Sequence, residues 1–142
     1  MKQAGGRLLL RMPIREEADV AVTCSRARAL ALEEGFPEGR AGAIATAVSE
    51  VARNIVVHAG AGEVMLSVVT ERAGRAVVVV ARDDHPGIRD VEMAMVDGYS
   101  TKGGLGLGLS SARRLMDEFA IVSTVGKGTS VTMKKWAYGR GE

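Results

Sequence analysis

The chain has 142 residues, of which 46% are hydrophobic and 25% charged, with a formal charge of +2. Such a length fits one domain around a single core, and this balance belongs to a globular protein and not to a disordered one. The small, scattered basic excess and an aromatic content of 4% argue against nucleic acid as a partner, whether held by charge or by base stacking.

In chain order, "RLLLRMPI" (7–14) reads as an opening strand and "EEADVAVTCSRARALALEEG" (16–35) as a helix stopped by Gly35. On that helix Val20, Ala27, Leu30 and Ala31 recur at helical spacing, as core or as a partner surface, with core the expectation. A second helix runs from Pro37 to His58 and ends at Gly60 and Gly62, with Ile44, Val48, Val51 and Ile55 forming its apolar stripe. "EVMLSVVT" (63–70) and "RAVVVVARD" (75–83) form a hairpin, and four consecutive valines imply burial on both faces. A short helix is expected over 90–98 and a stronger one over "LSSARRLMDEFA" (109–120). "IVSTV" (121–125) and "TSVTMKKW" (129–136) make a second hairpin around "GKG", and the last six residues fray. There is no repeat and no linker, so 1–142 is read as one domain: an α/β, two-layer sandwich with helices on one face of a mainly antiparallel sheet.

The longest apolar runs, "LLL" (8–10) and "AVVVVA" (76–81), fall far short of the roughly 20 residues of a membrane span. The opening segment has an early arginine and proline and makes a poor signal peptide. Cys24 is the only cysteine, which excludes an internal disulfide and a multi-cysteine zinc site and leaves a small buried or half-buried residue. The expectation is a cytoplasmic protein without a membrane.

Three stretches carry candidate chemistry. Glu50 and Asn54 lie one turn apart, about 90° from the centre of the apolar stripe at ~100° per residue, on the shoulder of the second helix. The amide oxygen of Asn54 is a suitable hard ligand for Mg²⁺, and Glu50 can orient a nucleophile. Taken alone, the pair reads first as a surface Glu50–Arg53 ion pair beside a solvated Asn54, since exposed helix pairs of this kind are common. In "ARDDHPGI" (81–88), Asp83 at a strand end can accept a hydrogen bond from the exocyclic amine of a base, with Gly87 admitting a ligand; the same residues also suit a plain turn. His85 and His58 lack the companions of a metal site. Finally, Gly104, Gly106 and Gly108 alternate directly before a helix, where bare amides and the helix dipole attract an anion, and Ser100, Thr101 and Lys102 add donors. The pattern is neither a P-loop nor a dinucleotide fingerprint, and a mobile lid fits it as well.

Taken together and in this order, "SEVARNIVVHAG", "ARDDHPGI", "DGYSTKGGLGLGL" and "GKGTSVTMKKW" resemble the ATP-binding fold shared by gyrase, MutL and histidine kinases, the Bergerat or GHKL fold, over about residues 40–136. The resemblance implies ATP and Mg²⁺ as cofactors. It makes Glu50 the catalytic glutamate, Asn54 the Mg²⁺ ligand and Asp83 the adenine reader with Gly87 beside it. Gly104, Gly106 and Gly108 become the phosphate lid, with Lys102 nearby, and Thr129 the late threonine near adenine. The family pattern has glycine where this chain has His85, and Asp84 is a one-residue-shifted rival of Asp83.

Within that fold the stretches are most similar to the switch-protein serine/threonine kinases of bacterial stress signalling (the RsbT group) and to anti-sigma kinases. That similarity implies a kinase that phosphorylates serine or threonine on STAS-domain antagonist or scaffold proteins and is then released to a downstream regulator, such as a PP2C-type phosphatase. The other readings are a non-catalytic, ATP-gated binding protein of anti-sigma type and a nucleotide-free scaffold.

Overall fold

Strand β1 (Arg7–Ile14) leads into helices α1 (Glu17–Glu33) and α2 (Glu38–Asn54), and α2 runs on into one π-helical turn, Ile55–Ala59. The hairpin β2 (Gly62–Glu71)–β3 (Gly74–Asp83), helix α3 (Leu105–Leu115) and the hairpin β4 (Glu118–Thr124)–β5 (Gly128–Trp136) complete the order. This computed structural model describes residues 6–84, 105–124 and 127–138. The helix expected over 90–98 lies outside the described residues. The five strands form one sheet in the order β1-β2-β3-β5-β4, antiparallel at every pairing.

The helices cover one face of this sheet. Helix α2 lies between α1 and α3 and packs on both, because its apolar stripe is wide: Ile44, Val48, Val51 and Ile55 are all buried, together with Ala41, Ala45, Ala47 and Ala52. Val20, Ala27 and Ala31 of α1 are core as well, with Leu30 packed against it. Helix α1 ends in a Schellman motif, in which the Phe36 N–H donates to the Ala31 carbonyl and the Gly35 N–H to that of Leu32. Phe36 is thereby turned into the core.

Beneath the helices, the strand register stacks apolar side chains into rows. Leu10, Leu66, Val79 and Met133 form one row across β1, β2, β3 and β5, and Val64, Ala81 and Val131 form the next. Leu66 is fully buried among these neighbours. Leu66→Ala is therefore expected to destabilise the fold by about 2–5 kcal/mol, the usual range for such a cavity, measured by chemical unfolding.

The four valines of β3 do not meet the expectation of burial on both faces. Val77 and Val79 are buried, while Val78 and Val80 are only half-buried. A strand with helices on a single face alternates inward and outward side chains, and the unbroken run of valines conceals that alternation. On the helix-free face a charge clamp crosses three strands: Arg11 Nε and Arg82 Nη2 each donate to the Glu63 carboxylate at 3.0 Å. These two hydrogen bonds hold the Glu63 carboxyl below the usual carboxylate range.

Helix α3 also departs from the expected 109–120, at both ends. It begins at Leu105, so the glycine stretch is partly helical, and Leu109, Ala112 and Met116 face the core at helical spacing. It stops at Leu115 because Asp117 turns the chain onto β5. The Asp117 N–H donates to the Lys134 carbonyl, and its carboxylate accepts from the Trp136 N–H at 2.8 Å. Lys135 Nζ donates to the Leu115 carbonyl at 2.6 Å, closing the helix C-terminus. "DEFA" thus divides between this corner and the start of β4.

Candidate functional site

The end of the sheet nearest the π-helical turn differs from the rest. Beyond the two apolar rows, the next row on the core face reads Gly62, Asp83, Thr129 and Ser123, directly paired across β2, β3, β5 and β4. Asp83, Thr129 and Ser123 are half-buried, whereas Asp84 is exposed. The core face therefore closes in a polar row that includes a carboxylate, as the wall of a binding cleft does.

Glycines press in on Asp83 from both sides. A β carbon at Gly128 would collide with the Asp83 carbonyl oxygen, and one at Gly62 with the Arg82 carbonyl oxygen. The same β carbon at Gly62 would lie 3.0 Å from Ile55 Cγ2 and 3.1 Å from Asp83 Cβ. The end of α2 thus abuts the end of β3, one residue past Asn54. Gly128 also has φ +112°, where an L side chain is strained. Gly128→Ala is expected to cost at least about 1–2 kcal/mol of stability from backbone handedness alone, seen as a lowered thermal unfolding temperature.

On α2, Glu50 and Asn54 are half-buried on one face. Glu50 Oε1 and Asn54 Nδ2 are buried and have no hydrogen-bond partner among the described residues. The alternative of a surface Glu50–Arg53 ion pair does not hold, because Arg53 Nε instead donates to Glu17 Oε2 at 3.3 Å, and Asn54 is half-buried with its Nδ2 closed off from solvent. Burial raises the Glu50 pKa above the ordinary carboxylate value, with the charges of Arg53 and, from α3, Arg114 acting the other way. Two orphaned polar atoms one turn apart call for a partner that the described residues do not supply. The π-helical turn that follows Asn54 at once is a feature frequent at functional sites.

Gly106 and Gly108 lie in the first turns of α3, so their backbone amides belong to a helix N-terminus and not to a free loop. Gly87, Lys102 and Gly104, along with His85, Ser100 and Thr101, lie outside the described residues. Of the expected site residues, the structure brings Asp83 beside Thr129 and sets Asn54 next to the residue that touches this row. Glu50 is placed toward α3 through Arg114. Sequence reasoning missed Ser123, Gly62, the close approach of Gly128 and the α3 charge near Glu50. Only Ser123 left a signal, as a hydroxyl where the alternation Phe119, Ile121 asks for another apolar residue.

No helix among the described residues is long and apolar enough to cross a membrane. Comparison with known proteins bears on this arrangement directly. A serine/threonine-protein kinase RsbT from Bacillus subtilis (strain 168) is 42% identical over 123 residues, covering 87% of this chain and 92% of that protein. An anti-sigma F factor from Caldanaerobacter subterraneus subsp. tengcongensis is 36% identical over 99 residues, 66% of this chain and 68% of its own. Another, from Geobacillus stearothermophilus, is 36% identical over 99 residues, 65% and 66% of the two chains. The histidine kinase-like ATPase domain matches residues 13–135, which span every described helix, strands β2 to β4, the end of β1 and all of β5 but Trp136. With a family match over most of its length and this similarity to a relative covered almost end to end, the chain belongs to the histidine kinase-like ATPase domain family.

Proposed function

We propose that this chain is an ATP-dependent protein serine/threonine kinase of a bacterial partner-switching module, acting in the cytoplasm. Its substrate would be a STAS-domain antagonist or scaffold protein, and its release afterwards would deliver it to a downstream regulator such as a PP2C-type phosphatase. The observation that carries the reading is the orphaned Glu50 Oε1 and Asn54 Nδ2 pair. It is supported by similarity to a protein named as a serine/threonine kinase over 87% of the chain.

In this reading Asp83 accepts a hydrogen bond from the adenine amine, with Thr129 beside it and Gly87 admitting the base. The glycines Gly104, Gly106 and Gly108 let the phosphates approach the bare backbone at the start of α3, and Lys102 offsets their charge. The donor set at Asn54 suits Mg²⁺: its side-chain amide carries one hard oxygen, and a phosphate-bound ion needs few protein ligands, while the unpartnered Nδ2 is a hydrogen-bond donor that would face an acceptor on the ligand. When bound, the ion neutralises phosphate charge. Glu50 holds the partner's serine or threonine hydroxyl in line with the γ-phosphorus. The new bond forms from that oxygen as the bond to the β–γ bridging oxygen breaks; ADP leaves, and the hydroxyl proton passes to Glu50.

The test is incubation of the purified chain with γ-labelled ATP, Mg²⁺ and a recombinant STAS-domain protein. Label on serine or threonine of the STAS protein is the expected result. Similarity to proteins named as anti-sigma factors favours a second reading, a non-catalytic ATP-gated binder. Stable capture of the STAS protein without label transfer would replace the first reading with the second.

A further inference from the structure

Ser123 pairs directly with Thr129 across the β4–β5 hairpin, and their hydroxyl oxygens are 3.0 Å apart, with either able to donate. Thr129 pairs in turn with Asp83 across β5–β3. Alternation along each strand puts all three side chains on the core face: Ala81 and Asp83 on β3, Thr129 and Val131 on β5, Ile121 and Ser123 on β4. The row is also tightly framed. Gly62 and Gly128 close on the backbone of residues 82–83, so β3 has little freedom to slide relative to its neighbours.

Within so fixed a frame, the loose element is the Thr129 hydroxyl proton, which can rotate. Its direction decides what the row presents to a base. An ionised Asp83 only accepts hydrogen bonds, whereas a threonine hydroxyl either donates or accepts. If Thr129 donates to Ser123, the row offers two acceptors. If Ser123 donates to Thr129 Oγ1, the Thr129 proton is released toward the cleft, and the row offers an acceptor beside a donor. Adenine presents an amine donor next to a ring-nitrogen acceptor, which matches the second arrangement at both atoms. Guanine presents a carbonyl acceptor next to an N–H donor and opposes it at both.

We propose that Ser123 is a specificity-determining positioning residue: by donating to Thr129 Oγ1 it points the Thr129 hydroxyl at the base and selects adenine over guanine. This rests on the reading of the Asp83 row as the nucleotide site. Ser123 acts through Thr129 and need not touch the nucleotide itself.

The experiment is calorimetric titration of the full chain with Mg-ATP and with Mg-GTP, for the unmodified protein, Ser123→Ala, Ser123→Thr, Thr129→Val and the Ser123→Ala/Thr129→Val double variant. Thermal unfolding of each variant without nucleotide checks that it is folded. Ser123→Ala is expected to weaken ATP binding roughly three- to tenfold, the loss of one neutral hydrogen bond, and to narrow the ATP-over-GTP ratio. Ser123→Thr keeps the hydroxyl and restores both. Once Thr129 is valine, Ser123→Ala adds nothing, because its target is gone. The inference is overturned if Ser123→Ala keeps ATP affinity and the ATP-over-GTP ratio within about twofold, the limit of independent behaviour. It is also overturned if the Ser123→Ala loss persists undiminished in the Thr129→Val background. ATP binding by the unmodified chain with an indifferent Ser123→Ala removes this inference alone. Absence of ATP binding by the unmodified chain removes the site reading and this inference together.

Discussion

Glu50→Gln is expected to lower phosphotransfer to a STAS-domain acceptor by about 10²–10⁴-fold, the range for removing a general base, with Mg-ATP still bound. The substitution keeps the shape of the side chain and its place on α2 and removes its charge and its ability to take a proton. Because burial raises the Glu50 pKa, the ascending acid limb of the pH–rate profile should be centred above the usual carboxylate range and should vanish in Glu50→Gln. The same shift bears on stability. A carboxyl whose pKa is raised by folding favours the folded state when protonated, and that contribution is lost as pH rises through the raised pKa. At neutral pH the ionised Glu50 therefore works against folding in the nucleotide-free chain. Glu50→Gln should accordingly unfold at a higher temperature than the parent at pH 7, with the difference fading as pH falls below the ordinary carboxylate range. A variant with full phosphotransfer activity would remove Glu50 from the mechanism.

The second large effect is at the sheet end. Asp83→Ala is expected to weaken ATP binding roughly ten- to hundredfold, the loss of one charge-assisted hydrogen bond. The exposed Asp84 is the built-in comparison, since it lies past the end of β3 and outside the paired polar row. Isothermal titration of the two variants side by side distinguishes the registers. Loss confined to Asp83→Ala agrees with the polar row described above, and loss confined to Asp84→Ala would place the base elsewhere.

Much of this was legible in the sequence, for physical reasons that differ from element to element. The stripe Ile44, Val48, Val51 and Ile55 identified α2 and its buried face, because 3.6-residue periodicity is local information. The same locality exposed Glu50 and Asn54 as neighbours on the shoulder of that helix. It could not tell that Arg53 would reach Glu17, which lies 36 residues away in sequence, so the surface ion pair read ahead of an open site. The valines of β3 hid their alternation because every position carried the same side chain. The end of α3 depended on Asp117 bonding to residues of β5, a contact made only once the sheet has assembled. The closeness of Gly62 and Gly128 to Asp83 likewise follows from strand register, which joins positions far apart in the chain. Ser123 was overlooked for that reason too: its meaning comes from standing opposite Thr129.

The most direct test is calorimetric titration of the unmodified chain with ATP in the presence of Mg²⁺ and again with the metal chelated. Binding of one nucleotide per chain is the expected result, weakened by chelation because the ion that Asn54 would hold offsets phosphate charge. Absence of binding at millimolar ATP, with no rise in unfolding temperature, would contradict it and leave the Glu50–Asn54 pair and the Asp83 row without the ligand assigned to them.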